Sequence, residues 1–457
     1  MASRSIRAVV IPACLLSLVA LGLPRTAVDA SRSPDQTSFL YTAAKHYEAL
    51  AWMQGADRFG SGATIFVRDA QGKHPLVPGF AASADPAVSF DGQRVLFAGK
   101  RRPEDSWQIW EIAVAGGDAR RITSGDEDCI RPFYLPEDRV VYAQRSAGRF
   151  VIETVGLAGG KPLPLTYGPA NSLPTDVLRD GRILFEAAYP LGSEALPEIY
   201  TVYSDGSGVE SYRCDHGAAR HSGRQVRSGD VVLASGHSLA RFTSAKAQEV
   251  SISTPAGEYA GDVVETAAGD WLLPWRGNAK ASFHLMLWTP GSAALRPEVA
   301  EQDADAIQPV LLAERAVPNR HPSGLHDWPN ANLLCLNAYT SKYPFAAGSI
   351  HSVRLYTRDG AGSPKLLGAA PVERDGSFFV QVPTEQPLQI ELLDGTGKTL
   401  KREAGFFWMR RGEQRGCVGC HAGPETSPEN AVPMVLLKST TPADMTGATA
   451  HNASGGH

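Results

Sequence analysis

The stretch "PAVSFDGQRVLFAGKRRPEDSWQIWEIAVAGGDARRIT", Pro86 to Thr123, decides the fold. It reads as a strand running into a tight turn at Asp91-Gly92, then a second strand over Arg94 to Ala98 and a polar loop. A third strand over Gln108 to Val114, a turn at Gly116-Gly117 and a short last strand follow. That is one four-stranded blade. Counterparts of its "DGQRVLF" turn and strand recur as "PEDRVVYA" from Pro136, "RDGRILFE" from Arg179, "RSGDVVLA" from Arg227 and "AAGDWLLP" from Ala267. The steps of about 40 to 48 residues are the period of propeller blades. Five units are visible, and a sixth reads as split: Ala63 to Val77 carries only outer strands, and "QPVLLAER", Gln308 to Arg315, supplies inner ones. Joining the two ends in one blade closes the ring without exposed edges. The Asp-Gly and Gly-Gly turns hold positive φ and are read as hairpin chemistry, not as binding loops.

The composition agrees with a β-rich globular chain. Of 457 residues, 43% are hydrophobic and 20% charged, and 45 Gly and 32 Pro favour turns over long helices. The formal net charge is −4, which gives no electrostatic footprint for nucleic acid or anionic lipid. Arg4 and Arg7 precede an apolar run from Ala8 to Leu23 and the small residues Val28 and Ala30, so residues 1–30 are expected to be a signal peptide and the mature chain periplasmic. The alternative is an uncleaved N-terminal anchor; no later stretch is long and apolar enough for a span.

Further expectations follow along the chain. An N-terminal helical segment is expected over 31–60, centred on Phe39 to Gln54, and the propeller over 61–318. Residues 319–330 form a Pro-, Gly- and Asn-rich linker. Over 331–405 strand alternation, with Phe378, Val380 and Val382 facing one way and Phe379 and Gln381 the other, reads as a small β-sandwich-like domain. An attachment segment is expected over 406–440 and a disordered tail over 441–457.

The attachment segment is named for "RGCVGCHAG", where Cys417, Cys420 and His421 stand as C-x-x-C-H. Two cysteines at this spacing form thioethers to the haem vinyl groups, and the adjoining histidine ligates iron. Zinc needs two further ligands, and no second C-x-x-C or close His pair is present; a thioredoxin-like pair belongs to a βαβ pattern that is absent. One covalent haem c is therefore expected, with His421 as axial ligand. Just upstream, Phe406, Phe407 and Trp408 are candidates to pack on porphyrin, the alternative being the core of the β domain. Arg410, Arg411 and Arg415 are candidates to pair with propionates, the alternative being solvation. Met434 is the nearest downstream candidate for the sixth ligand, the alternative being an apolar core residue. His216, His221, His237, His321 and His326 are others, with Met445, His451 and His457 in the expected tail. Cys129, Cys214 and Cys335 remain; Cys129–Cys214 is a candidate disulfide, with buried thiols as the alternative.

The propeller repeats, then "ERDGSFFVQVPTEQPLQIELLDGTGKTL", then "RGEQRGCVGCHAG" resemble the hydrazine synthase alpha subunit family and its bacterial relatives. The resemblance implies a six-bladed TolB/WD40-like propeller packed on a middle domain, with haem near their junction. Only Cys417, Cys420 and His421 carry over. Two departures hold back the family's activity: the chain runs only 36 residues beyond His421 without a second C-x-x-C-H, and no tyrosine follows Tyr356.

Three functions follow as expectations. The first is a periplasmic monohaem c-type cytochrome in electron transfer, its propeller docking a redox partner protein such as another cytochrome. The second is a haem-dependent oxidoreductase with an open iron position, acting on a small nitrogen or oxygen compound. The third is a cell-envelope interaction protein whose haem is structural or senses gas. No G-x-S-x-G at a strand-to-helix turn supports serine catalysis.

Overall fold

The computed structural model describes residues 37–188, 196–212, 219–244, 247–341, 344–358, 363–403, 405–419 and 430–447. The signal-peptide reading of 1–30, Cys214, His216, Cys420, His421, His451 and His457 lie outside the described residues.

The quoted stretch belongs to one antiparallel blade, Ala82–Val88, Arg94–Lys100, Gln108–Ala113 and Arg120–Arg121, in sequential order. Blades that follow start with the inner strands Cys129–Leu135, Asn171–Val177 and Arg220–Gln225. The next is opened by two short inner pieces, Glu258–Tyr259 and Val264–Glu265, both paired with Trp271–Arg276. A sixth sheet runs Asp305–Leu311, Phe39–Ala44, Thr64–Asp69, Gly72–Pro75 and joins the two ends of the propeller sequence.

The expected helix over 31–60 is therefore corrected. Phe39–Ala44 is a strand, and only Ala51–Gln54 forms a short 3-10 turn. "FLYTAA" is buried nearly throughout, and a short apolar run buried on both faces carries no period that separates strand from helix. Pairing with Thr64–Asp69 on one side and Asp305–Leu311 on the other decides it. The split blade thus takes three strands from the N-terminal side and only its innermost from the C-terminal side.

Each inner strand breaks register at one polar residue. The breaks bracket Asp85, Arg131, Thr175, Ser222 and Gln308, and Asp262 lies between the two short pieces. All but Thr175 have positive φ. These bulges aim polar side chains at the propeller axis, where all six residues are buried. Pro86, Pro132 and Pro309 follow three of them, in positions where a bulge tolerates a missing N–H.

Beyond the propeller two four-stranded sheets share one core. The first runs Gln414–Cys417, Asn330–Cys335, Phe378–Pro383, Ala443–Asp444, and the second Lys365–Pro371, Ser352–Thr357, Leu388–Leu393, Thr399–Arg402. Leu333, Val353, Leu355, Val380 and Leu392 fill the space between them. Both edges of the first sheet come from C-terminal segments and pair in parallel. The expected disordered tail is corrected over its first residues: Ala443–Asp444 is an edge strand, and Met445 is 1% exposed in the sandwich core. The signal missed was a two-residue strand, too short for any period.

Candidate functional site

Residues 405–419 connect propeller, sandwich and the C-x-x-C-H motif. Their side chains divide between two cores: Phe406 and Trp408 enter the propeller core, Met409 enters the sandwich core, and Phe407 touches both. Trp408 packs at 6.4 Å from the rings of Tyr167 and Phe185 and donates its indole N–H to Gly206 O at 3.2 Å. The aromatic run is a clamp between the two domains.

Glu413, 6% exposed, ties this clamp together. Its carboxylate accepts the backbone N–H of Gly208 from the propeller at 3.1 Å and that of Arg410 at 2.7 Å. Arg415 donates to the same carboxylate at 2.6 and 2.9 Å and to Trp408 O at 3.1 Å. Arg410 lies over the Tyr167 ring with Glu385 at 3.1 Å, and desolvation pulls its pKa below the usual guanidinium range. Arg411 makes an exposed ion pair with Asp327 of the linker at 3.1 Å. Trp408 is thus engaged with the propeller and Arg411 with the linker. Glu413 was not singled out in the sequence; its spacing after Arg410 gives no sign that both bend back onto a blade.

Cys417 ends the edge strand Gln414–Cys417, in register with Cys335 of the neighbouring strand. It is partly buried against the sandwich core, and burial pushes its thiol pKa up. Leu336 N–H donates to Cys417 O at 2.8 Å. Two residues on, Gly419 lies against Thr340 O, and a Cβ there would also stand 2.9 Å from Asn337 O. Position 419 therefore has room for glycine only.

The chain re-enters the described residues at 430 and caps the adjoining turn. Met434 N–H donates to Asp375 at 2.7 Å and Val435 N–H to Ser377 Oγ at 3.1 Å, starting the short helix Met434–Lys438. Cys417, Cys335 and Phe378 are consecutive register partners across the sheet, so Cys417 and Met434 stand at the same end of the sandwich. Met434 is only partly buried. The other candidate ligands are spread out. His221 is buried with its pKa pushed down to about 4 by desolvation, and His237 is exposed. His321 stacks on Tyr203 at 3.6 Å and His326 on Trp328 at 5.3 Å. Among the described residues no group of three or more His, Cys, Asp or Glu is arranged to hold a metal ion.

A second polar assembly fills the propeller axis. Asp85 accepts from Arg58 at 2.6 Å, from Gln308 Nε2 at 2.6 Å and from the backbone N–H of Arg131 at 3.0 Å. Asp262 pairs with Arg131 at 3.3 Å and with Arg224 at 3.0 Å. Glu186 accepts the backbone N–H of Ser222 at 2.6 Å, and desolvation pushes its pKa up to about 7. Three guanidinium groups and three carboxyl groups thus cross-link five of the blades and the 55–59 loop. The recurring polar residue inside each apolar inner strand was the available signal for it.

Fold and site together define a six-bladed propeller joined to a β-sandwich whose edge strand ends at Cys417, the first cysteine of the C-x-x-C-H pattern. Residues 347–422 match the family "Hydrazine synthase alpha subunit middle domain". Kuenenia stuttgartiensis hydrazine synthase has a similar fold, with TM-score 0.75 and 15% identity over 88% of this chain and 72% of that one. TolB from Acinetobacter baumannii aligns over 61% of this chain and 67% of its own at 14% identity and TM-score 0.45. The uncharacterized peptidase YuxL of Bacillus subtilis (strain 168) is 25% identical over 171 residues, 36% of this chain, which spans only 24% of that relative's length.

Proposed function

We propose that the chain is an exported monohaem c-type cytochrome of the periplasm, in which Cys417 and Cys420 hold one haem c by thioethers, His421 ligates its iron, and the protein passes electrons. The observation that carries this reading is the placement of Cys417. It ends a strand anchored to the sandwich by four register pairs, beside a backbone surface that admits glycine alone at position 419. The donor set suits haem c, and a haem c iron supplies reversible one-electron chemistry.

The chain's own residues provide a fixed platform. Glu413 neutralises Arg415 and accepts the backbone N–H of Gly208, so the attachment segment cannot swing away from the blades without breaking a charge-assisted hydrogen bond to a buried carboxylate. Met434, held at the same end of the sheet, is the sixth ligand to test first. In this reading a redox partner protein docks on the propeller.

The test is to express the chain with a haem c maturation system and record absorption and electron paramagnetic resonance spectra with and without carbon monoxide. A low-spin spectrum indifferent to carbon monoxide supports the electron carrier, and Met434→Ala should then turn it high-spin. A high-spin iron that binds carbon monoxide favours an oxidoreductase on a small ligand instead. Absence of covalent haem overturns both. Recovery of the chain in the periplasmic fraction, cut after residue 30, checks export.

A further inference from the structure

Cys335 and Cys417 are partners in the parallel pair of Asn330–Cys335 with Gln414–Cys417. Partners in such a pair project to the same face, and adjacent strands lie about 4.8 Å apart. This is inside the roughly 4.4–6.8 Å range of Cα separations that a disulfide spans. Both side chains face the sandwich interior: Cys335 is 2% exposed in its core, and Cys417 packs against that core. The chain beyond each cysteine is also tied to the other strand, by the Leu336-to-Cys417 hydrogen bond and by Gly419 against Asn337 and Thr340. These backbone contacts hold the two cysteines in register.

We propose that Cys335 and Cys417 form a disulfide in the chain that has not received haem, and that this bond must be opened before Cys417 can be attached. The first clause is independent of the cytochrome reading; the second rests on it. In forming the bond the two thiols give up two protons and two electrons, which pass to a disulfide-bonded oxidant that leaves as two thiols. Thioether formation adds the Cys417 S–H across a vinyl double bond, so it needs the reduced thiol. The competitor is the local pair Cys417–Cys420.

Disulfide mapping of the full chain decides between them. Chain made without haem maturation is equilibrated with oxidised glutathione, alkylated, digested with trypsin and sequenced by mass spectrometry. Cys335 falls in peptide 321–342 and Cys417 and Cys420 in peptide 416–438. The expected product joins the two through Cys335 and Cys417 with Cys420 alkylated. A ring within 416–438, a link from Cys335 to Cys420, or alkylation at all three positions overturns the first clause. The mapping needs no haem, so failure to attach haem would sink the cytochrome reading and leave this result standing. For the second clause, Cys335→Ser should raise the haem-loaded fraction several-fold when maturation is run under oxidised glutathione; an unchanged fraction overturns it.

Discussion

Trp408 donates its indole N–H to the carbonyl oxygen of Gly206, 3.2 Å away, across the boundary between sandwich and propeller. Gly206 has φ +85 in the 203–207 turn, and a Cβ there would meet Arg410 Cδ at 3.0 Å. The tryptophan beside the haem-like motif is thus a fastener between domains. Replacing Trp408 with Ala empties a site 3% exposed and should cost about 3–5 kcal/mol at that junction. Trp408→Phe should cost much less, chiefly one hydrogen bond of about 1 kcal/mol. In calorimetry the alanine variant should split sandwich from propeller unfolding and expose 405–415 to protease. A single unshifted transition would show that the clamp carries no load.

Asp85 joins three separate partners on the propeller axis: Arg58, Gln308 and the backbone of Arg131. Asp85→Ala leaves Arg58, 4% exposed, without its 2.6 Å partner and removes an acceptor from Gln308 and Arg131. An orphaned buried charge of this kind costs about 3–5 kcal/mol, whereas replacing both ions by apolar groups of similar size can be nearly neutral. Urea denaturation should therefore show Asp85→Ala far less stable than the Arg58→Met, Asp85→Leu double variant. Equal losses would mean that the pair is not an isolated unit within the network.

These two sites differ in how visible they are in the sequence. The blade repeat is local: each Asp-Gly or related turn lies between strands that pair with each other, so the period and the alternation expose it. The C-x-x-C-H pattern is local too. Phe39–Ala44 is not, because its identity as a strand is set by partners more than 20 and more than 260 residues away. The same holds for Trp408, whose aromatic character is legible while its partner Gly206 is not. Glu413 and Cys335 become important only when a parallel edge strand brings the C-terminal segment back to Asn330–Cys335. Parallel pairing over such distances leaves no periodic trace.

Glu186 gives the axis a pH dependence. Its pKa is about 7 in the folded chain against an ordinary 4.5, so the folded state holds a proton that the unfolded state has lost between those values. Stability from this group is therefore fully present below pH 4.5, is lost as pH rises through about 7, and is flat above. His221, pushed down to about 4, works in the opposite sense and loses its contribution as pH falls below 6.5. Arg131, Asp262 and Arg58 are the charges that face Glu186. Comparing wild type with Glu186→Gln cancels the histidine. The variant should match wild type near pH 4.5 and exceed it above pH 7 by up to roughly 3 kcal/mol. A difference that does not change with pH would place the glutamate's proton elsewhere.

Gly419 links the fold most directly to the proposed cofactor. Its missing side chain lets the chain after Cys417 lie on the backbone oxygens of Thr340 and Asn337. Backbone carbonyls anchored beside a buried strand cannot yield as a flexible side chain would. Gly419→Ala should therefore lift the segment off the sandwich and shift the second cysteine of the motif relative to Cys417. Gly419 contributes no side chain to the sandwich core, so the unfolding transition should move little while the covalently haem-loaded fraction falls several-fold. Val418→Ala, one residue earlier, only shortens a side chain and adds no atom, so it should load close to the wild-type level. Haem per milligram of purified chain, measured after alkaline pyridine treatment, separates these outcomes. Normal loading of Gly419→Ala would mean that haem attachment does not depend on the seat the sandwich provides.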